Sequence, residues 1–290
     1  MNASVGTWIR AVRPRTLGAS LVPVLVGLAI ASRTTAIETL TASLTFVAAF
    51  LIQIGTNLAN DYYDFLSGAD ADNRLGPTRV SQSGLIRPTV VRNASFAVLS
   101  AAGLCGALLI LHGGWPIAII GIASLTCALA YTTGPWPLAH RGLGDLFVFV
   151  FFGIVAVNGT LWLQGVGPST GSLLLATAVG CLATAILVVN NLRDIATDAL
   201  VGKNTVAVRI GPRLTVVQYR ALLLIPFLLL PLLQSTYGLG IMLPLLCIPA
   251  ALREARQISR REGFALNQSL AATARLHGIY GMLLSLGLLM

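Results

Sequence analysis

The long segment from Leu146 to Leu192 contains no charged side chain. Roughly 20 apolar residues cross a lipid bilayer, so this segment is long enough for two crossings, and the turn residues at 165–168 separate them. The whole chain has the same character, with a mean hydropathy of +0.82 and only 10% charged residues. Soluble domains carry about 25% charged residues. We therefore predict an integral membrane protein.

Nine apolar segments predict an all-α bundle of about nine transmembrane helices in a single domain, residues 1–290. The eighth segment is the shortest, and Pro226 and Pro231 predict kinks in the seventh. The segments cover residues 16–32, 39–60, 93–112, 116–134, 145–164, 171–192, 215–233, 238–253 and 269–289.

Positive charge is unevenly distributed along the chain, which has 19 Lys and Arg residues against 10 Asp and Glu. Apart from Arg33, the positive residues lie in or next to the N-terminal tail and the loops after the second, fourth, sixth and eighth helices. The positive-inside rule places these loops and the N-terminus in the cytoplasm, with Met290 outside. Anchoring near anionic lipid explains this charge. We expect no nucleic-acid partner, and the sequence indicates no particular protein partner.

Acidic and amide side chains are concentrated at the end of the second helix and in the loop that follows. Asn57 and Asp61 are four residues apart, as are Asn60 and Asp64, and Asp61 and Asp64 are three apart, which places them on one face if the helix continues. Ionised groups near hydrocarbon need partners, so this cluster predicts a functional site. The loop beyond it carries Asp70, Asp72, Arg74 and Arg79.

The end of the sixth helix repeats this pattern. Asn190, Asp194 and Asp198 recur every four residues on one face. The similarity of the two ends suggests a diverged internal duplication, in which the second and sixth helices face each other across a common cavity. The candidate residues of the second cluster are Asn190, Asn191, Asp194, Asp198, Lys203 and Arg209.

Two acidic helix ends, each followed by a basic loop, suit a magnesium-bound diphosphate. Mg²⁺ usually takes one or two carboxylates together with water and substrate phosphate oxygens. Arg and Lys bind the remaining phosphate oxygens, and Asn side chains add neutral ligands. The predicted metal ligands are Asp61, Asp64, Asp70, Asp72, Asp194 and Asp198. The predicted diphosphate-binding residues are Arg74, Arg79, Lys203, Arg209, Asn190 and Asn191, and the catalytic set comprises Asp61, Asp64, Asp194, Asp198, Asn57, Asn60 and Tyr131.

Several of these residues also have a plainer interpretation. Carboxylates at helix ends are often solvated, and Asp145, at the start of the fifth helix, is expected to act as a helix cap. Tyr131 and the Tyr62–Tyr63 pair either anchor the protein at the membrane boundary or cover a carbocation by cation–π attraction. Arg141 is either a topological anchor or a partner for a substrate carboxylate. A cation-coupled transporter is the alternative from a different functional class.

The strings Asn60-Asp61-Tyr62-Tyr63-Asp64 and Asp194-Ile195-Ala196-Thr197-Asp198 resemble the two aspartate-rich motifs of the UbiA superfamily of intramembrane aromatic prenyltransferases. Longer stretches of the sequence resemble those of the superfamily branch that acts on 1,4-dihydroxy-2-naphthoate in menaquinone biosynthesis. These stretches include Gly76-Pro77 with Arg79, and Gly202-Lys203-Asn204-Thr205.

The resemblance implies a helical bundle around a central cavity open to lipid, a bacterial-type inner membrane location, and Mg²⁺ as the cofactor. It also implies a reaction in which polyprenyl diphosphate prenylates 1,4-dihydroxy-2-naphthoate, with loss of CO₂ and diphosphate, to give demethylmenaquinol. Another aromatic acceptor, such as 4-hydroxybenzoate, is the alternative within the superfamily. The chain departs from the superfamily pattern at Gly68, where an aspartate is usual. This leaves Asp70 and Asp72 as alternative ligands.

We predict that a reporter fused after Arg261 reads as cytoplasmic, because this position follows an even-numbered helix in an arginine-rich loop. A reporter fused after Met290 is expected on the opposite side of the membrane. The measurement is the activity of paired alkaline phosphatase and fluorescent-protein fusions at both points. The same readout at both positions would exclude a ninth crossing.

Overall fold

The structure is a computed structural model that describes residues 4–68, 75–134 and 137–290. All regular elements in these ranges are helical, which confirms the all-α prediction. Short 3-10 helices and one π-helix connect or extend the α-helices. The α-helices are α1 (Val5–Val12), α2 (Pro14–Ala31), α3 (Thr39–Leu66), α4 (Pro88–Ala130), α5 (Gly144–Phe149), α6 (Ala156–Leu163), α7 (Thr170–Leu200), α8 (Val206–Tyr237), α9 (Ile248–Gln257) and α10 (Leu266–Leu288).

Five stretches of the described chain are each long and apolar enough to cross a membrane. They are α3, α4, the α5 to α6 stretch, α7 and α8. The bent pair formed by α1 and α2 qualifies as a sixth when its members are taken together. These helices, with α9 and α10 completing the bundle, support the prediction of an integral membrane protein.

Glycine and proline define where the long helices divide. Gly114 has φ 67° and ψ −158°, and Pro116 follows, so α4 contains two helices joined without a loop. They correspond to the predicted third and fourth segments. Helix α8 is broken in the same way at Gly211. Helical φ and ψ angles continue through Pro226 and Pro231, so the break in this helix does not lie at the predicted prolines.

Two predicted helices differ from the observed elements for local reasons. The fifth is interrupted by the π-helix Val150–Val155. There Gly153 packs so closely on α7 that a Cβ atom would lie 2.7 Å from Gly180 Cα. The eighth begins as the 3-10 helix Leu239–Cys247 and becomes α-helical only afterwards. Pro244 lies within this 3-10 helix and lacks the N–H that an α-helical hydrogen bond requires.

Helix α7 lies at the centre of the bundle, and most of its apolar stretch is buried. The main apolar core joins α7 to α2, α6, α8, α9 and α10. Helices α3 and α4 contact chiefly each other, and smaller apolar clusters lie between them and beneath α1. The cavity described next lies between the α3–α4 pair and the rest of the bundle.

Candidate active site

A cavity of about 520 Å³ lies inside the helical bundle, within the size range of small-molecule sites. Its walls are mostly apolar and come from α2, α3, α4 and the α5 to α6 stretch. The lining amides come from α3 and α7, and the charged groups come from the end of α3 and from the segments that connect the helices. Helices α3 and α7 therefore face a common cavity, as predicted. The polar lining includes Arg13, Asn57, Asn60, Asp64, Arg79, Tyr131, Asn190, Asn191 and Lys203.

Asp64 is the α3 carboxylate that lines this cavity. Its Oδ2 atom accepts a hydrogen bond from Arg79 Nη2 at 2.6 Å, and both side chains are more than 90% buried. Burial of such a pair costs desolvation free energy, which the mutual attraction of the charges offsets. Asn60, one turn earlier, also lines the cavity, and its Oδ1 accepts a hydrogen bond from the Thr132 hydroxyl at 3.0 Å.

Asp61 does not contribute to the cavity wall. Its Oδ1 accepts a hydrogen bond from the Ser81 backbone N–H at 2.9 Å, and its Oδ2 accepts one from the Val80 N–H at 3.1 Å. The side chain is buried, so these charge-assisted bonds hold the loop firmly to α3. We expected Asp61 to ligate a metal, whereas its position suits it to anchoring the loop that carries Arg79.

Arg13 lines the cavity, although it is one of the basic residues near the N-terminus that we expected only to anchor the protein near anionic lipid. It joins α1 to α2 with a φ of 56°, a left-handed conformation that is uncommon outside glycine. Asn57 holds this turn, since its Nδ2 donates to the Val12 carbonyl at 2.9 Å and the Thr16 hydroxyl at 3.0 Å. The Arg13 Nη2 atom is buried and has no hydrogen-bond partner among the described residues. The turn thus presents a cationic donor to the cavity.

Asp198 and Lys203 form an ion pair at the end of α7. Lys203 Nζ lies 3.3 Å from Asp198 Oδ1, and Lys203 lines the cavity. Asp198 Oδ2 is buried and has no hydrogen-bond partner in the described part of the chain. A buried carboxylate oxygen of this kind suits a hard cation such as Mg²⁺.

Asp194 is engaged by its neighbour Arg193 in a two-pronged ion pair, with Nη2 to Oδ2 at 2.6 Å and Nε to Oδ1 at 2.8 Å. Arg193 also donates to the Oδ1 atoms of Asn190 and Asn267, both at 2.8 Å. Asn267 donates in turn to the Leu75 carbonyl oxygen. This network ties α7 to α10 and to the loop after α3. Its long-range members could not be inferred from local spacing.

An aromatic wall covers part of the cavity. Tyr131 follows α4 and lines the cavity, as do Phe147 and Phe151, whose stacked ring centroids lie 5.8 Å apart. Burial raises the pKa of the Tyr131 phenol above its ordinary value, and nearby carboxylates, chiefly Asp145, raise it further. The phenol therefore stays protonated. Tyr62 lies elsewhere, packed against the apolar cluster beneath α1.

Arg209 hydrogen-bonds to two loops and does not line the cavity. Its Nη2 donates to the Arg141 carbonyl at 2.7 Å and its Nε to the Asn204 carbonyl at 3.2 Å. The Arg141 side chain is exposed and is also absent from the cavity wall. Burial lowers the pKa of the His140 imidazole in the same loop, and the charge of Lys203 lowers it further, so this ring is neutral near pH 7.

Asp145 is not the helix cap that its position predicts. It is the second residue of α5, whose N-cap residue Leu143 makes no side-chain capping bond. The buried carboxylate accepts hydrogen bonds from Asn191 Nδ2 at 3.2 Å and Gln218 Nε2 at 2.7 Å. Partners on α7 and α8 have therefore replaced the local capping interaction.

No three Asp, Glu, His or Cys side chains within residues 4–68, 75–134 and 137–290 form a complete metal site. Magnesium sites for phosphate substrates often use only one or two carboxylates. The candidate ligands are therefore Asp64, which lines the cavity, and Asp198, which pairs with the cavity residue Lys203. The predicted ligands Asp70 and Asp72 and the predicted phosphate-binding Arg74 lie outside the described residues.

A model of the UbiA prenyltransferase family matches residues 20–276. The chain belongs to this family. A family member from Mycobacterium tuberculosis, named 1,4-dihydroxy-2-naphthoate octaprenyltransferase, is 38% identical over 267 residues, covering 90% of this chain and 89% of the relative. The Escherichia coli protein of the same name is 35% identical over 262 residues, covering 87% of this chain and 85% of the relative. UbiA prenyltransferase domain-containing protein 1 of Danio rerio is 31% identical over 293 residues, covering 100% of this chain and 86% of the relative.

Solved structures of UbiA proteins share the fold. A UbiA homolog from Archaeoglobus fulgidus bound to DMAPP and Mg²⁺ has a TM-score of 0.67 at 16% identity, covering 96% of this chain and 99% of that chain. The apo structure of a UbiA homolog from Aeropyrum pernix K1 has a TM-score of 0.62 at 20% identity, covering 95% of this chain and 98% of that chain. These similarities establish the UbiA fold for this chain.

We predict that Asp61→Asn raises the hydrogen exchange rates of the Val80 and Ser81 amides about tenfold. Asparagine offers one acceptor oxygen where aspartate offers two, and a buried N–H without an acceptor costs about 1–3 kcal/mol. The measurement is hydrogen exchange of the purified protein in detergent, read by mass spectrometry. Glu38→Gln is the control, since Glu38 caps the opposite end of α3 and bonds to neither amide. Unchanged exchange in Asp61→Asn would mean that other contacts hold the loop.

Proposed function

We propose that this chain transfers a polyprenyl group from a polyprenyl diphosphate to 1,4-dihydroxy-2-naphthoate, with loss of diphosphate and CO₂, to give demethylmenaquinol. The observation that carries the proposal is a largely apolar cavity to which Asp64, Arg79 and Lys203 contribute charged groups. An amphipathic donor has the same two parts, an apolar chain and a charged diphosphate. The names of the bacterial relatives, which match most of this chain, support the choice of acceptor.

Three cations bind the diphosphate oxygens in this proposal: Arg13, Arg79 and Lys203, which all line the cavity. Arginine offers paired donors and lysine a compact charge. Arg79 and Lys203 are already held by Asp64 and Asp198, so their positions are set before the substrate arrives. Preorganised charges of this kind stabilise a leaving group without further rearrangement.

Asp64 and Asp198 would hold Mg²⁺ at the diphosphate. Asp194 would become a further ligand by giving up the hydrogen bonds that it accepts from Arg193. When bound, Mg²⁺ neutralises negative charge on the departing diphosphate. Asn60 takes a different role, because its Oδ1 is engaged by Thr132 and its Nδ2 is left to donate to a phosphate oxygen. Asp61 acts as a positioning residue for the loop that carries Arg79.

Departure of diphosphate leaves an allylic cation, which the carboxylate-bearing carbon of the naphthoate ring captures. The bond from this carbon to the carboxylate then breaks, its electron pair restores the aromatic ring, and CO₂ leaves. No ring proton has to be removed. Tyr131 and Phe147 stabilise the cation through their π electrons. The apolar cavity walls exclude water that would otherwise hydrolyse it.

We also propose that the charged ends of α3 and α7 lie at the cytoplasmic face of a bacterial inner membrane. The arginine-rich loops that follow these helices support this orientation under the positive-inside rule. A soluble, anionic acceptor would arrive from the same face, where the excess positive charge steers it toward the cavity.

Asp64→Asn and Asp198→Asn are each predicted to lower activity at least about 100-fold, as expected when an electrostatic stabiliser is removed. The measurement is pyrophosphate release by purified protein given a polyprenyl diphosphate, Mg²⁺ and the naphthoate, with thermal unfolding as the test of folding. Glu262→Gln is the matched control, because Glu262 is an exposed loop acid, and its activity should stay within about twofold of wild type. Wild-type rates in both aspartate variants would contradict the proposed diphosphate site.

Carboxyl-labelled 1,4-dihydroxy-2-naphthoate is predicted to release one labelled CO₂ for each prenylated product. Membranes containing the protein should also turn over this acceptor far faster than 4-hydroxybenzoate. Membranes from cells without the protein are the control. Retention of the label in the product, or a preference for 4-hydroxybenzoate, would reject the acceptor while leaving the metal and diphosphate assignments intact.

A further inference from the structure

Asp145 joins three helices through one buried carboxylate. Its two oxygens accept hydrogen bonds from Asn191 on α7 and Gln218 on α8, while Asp145 itself belongs to α5. Asp145 does not line the main cavity, but Asn191 does. A side pocket of about 10 Å³, room for about one water molecule, lies beside them and is lined by Asp145, Asn191, Tyr131 and Lys203. Asn191 therefore stands between Asp145 and the substrate cavity.

We propose that Asp145 is a positioning residue that turns the amide of Asn191 so that its carbonyl oxygen faces the cavity and accepts a hydrogen bond from a hydroxyl group of the aromatic acceptor. Both oxygens of Asp145 act as hydrogen-bond acceptors, so the side chain holds the NH₂ end of the neighbouring carboxamide and not its oxygen. The observed contact has this direction, with Asn191 Nδ2 donating to Asp145 Oδ1. This inference rests on the proposed function, since it concerns the acceptor of that reaction.

The direction of this amide changes the role expected for Asn191. Diphosphate oxygens only accept hydrogen bonds, so an asparagine that offers its Oδ1 to the cavity does not suit the diphosphate-binding role predicted from sequence. A hydroxyl donor or a cation suits it instead. Lys203 lines both the cavity and the side pocket together with Asn191, and its positive charge disfavours a second cation there. A neutral hydroxyl group is not repelled in this way.

The test compares 1,4-dihydroxy-2-naphthoate with 1-hydroxy-2-naphthoate and 4-hydroxy-2-naphthoate, each of which lacks one hydroxyl group. The readout is the ratio between the inhibition constant of each analogue and the KM of the full acceptor. In the wild type, the analogue without the recognised hydroxyl should bind at least about tenfold more weakly, the difference expected for one hydrogen bond. Asp145→Asn, which no longer enforces one amide direction, should reduce this ratio to less than about threefold. Asp145→Leu, which removes the acceptor atoms altogether, should reduce it at least as far.

Gln218→Met is the matched control. It removes the other hydrogen bond to Asp145 but keeps the contact with Asn191, so it should lower thermal stability and retain the wild-type ratio. Asn191→Ala should abolish the discrimination, and adding Asp145→Asn to Asn191→Ala should cause no further change in the ratio, because Asp145 acts through Asn191.

Two outcomes would overturn this inference. An unchanged ratio in folded Asp145→Asn would show that the carboxylate does not set hydroxyl recognition. A change confined to the Mg²⁺ concentration needed for half-maximal rate would assign Asn191 to the metal. Failure of the proposed function is distinguishable from both, because the wild-type protein would then not prenylate 1,4-dihydroxy-2-naphthoate at all.

Discussion

Buried charge beside hydrocarbon must be compensated, and the architecture of this cavity follows from that requirement. An ionised side chain costs several kcal/mol to desolvate, so the buried carboxylates near the cavity are compensated, Asp61 and Asp145 by N–H donors and others by cations. Asp64 pairs with Arg79 and Asp198 with Lys203, and in both pairs the cation comes from the segment that follows the acidic helix. Neutralising the helix ends therefore also draws these two segments to the cavity. The same two ion pairs therefore compensate the buried charge and place Arg79 and Lys203 at the cavity.

The sequence predicted the helices and the two polar clusters because both depend on local periodicity. Runs of apolar residues define the spans, and spacings of three and four define the faces of α3 and α7. The same spacing could not distinguish Asp61 from Asp64, which lie three residues apart. Only the hydrogen bonds from the Val80 and Ser81 amides show that Asp61 holds a loop while Asp64 lines the cavity.

Other functional groups were misjudged because their partners are distant in the chain. A rule for helix caps considers only the first turn, so it could not anticipate that Asn191 and Gln218 would engage Asp145. Arg13 similarly depends on a contact from another helix, since Asn57 fixes the turn that directs it into the cavity. Such assignments require knowledge of which helices pack against each other, and the spacing of residues along the chain does not give it.

Two of the amide side chains at the cavity, Asn60 and Asn191, are informative because each has one end engaged by another side chain of the protein. Asn60 uses its oxygen to accept from Thr132, which leaves its NH₂ group to donate. Asn191 uses its NH₂ group on Asp145, which leaves its oxygen to accept. A diphosphate accepts hydrogen bonds only, whereas a dihydroxynaphthoate also donates them. In the proposed reaction the NH₂ group of Asn60 would suit the diphosphate and the oxygen of Asn191 would suit a hydroxyl group of the aromatic acceptor, so the two amides present opposite polarity to the two substrates.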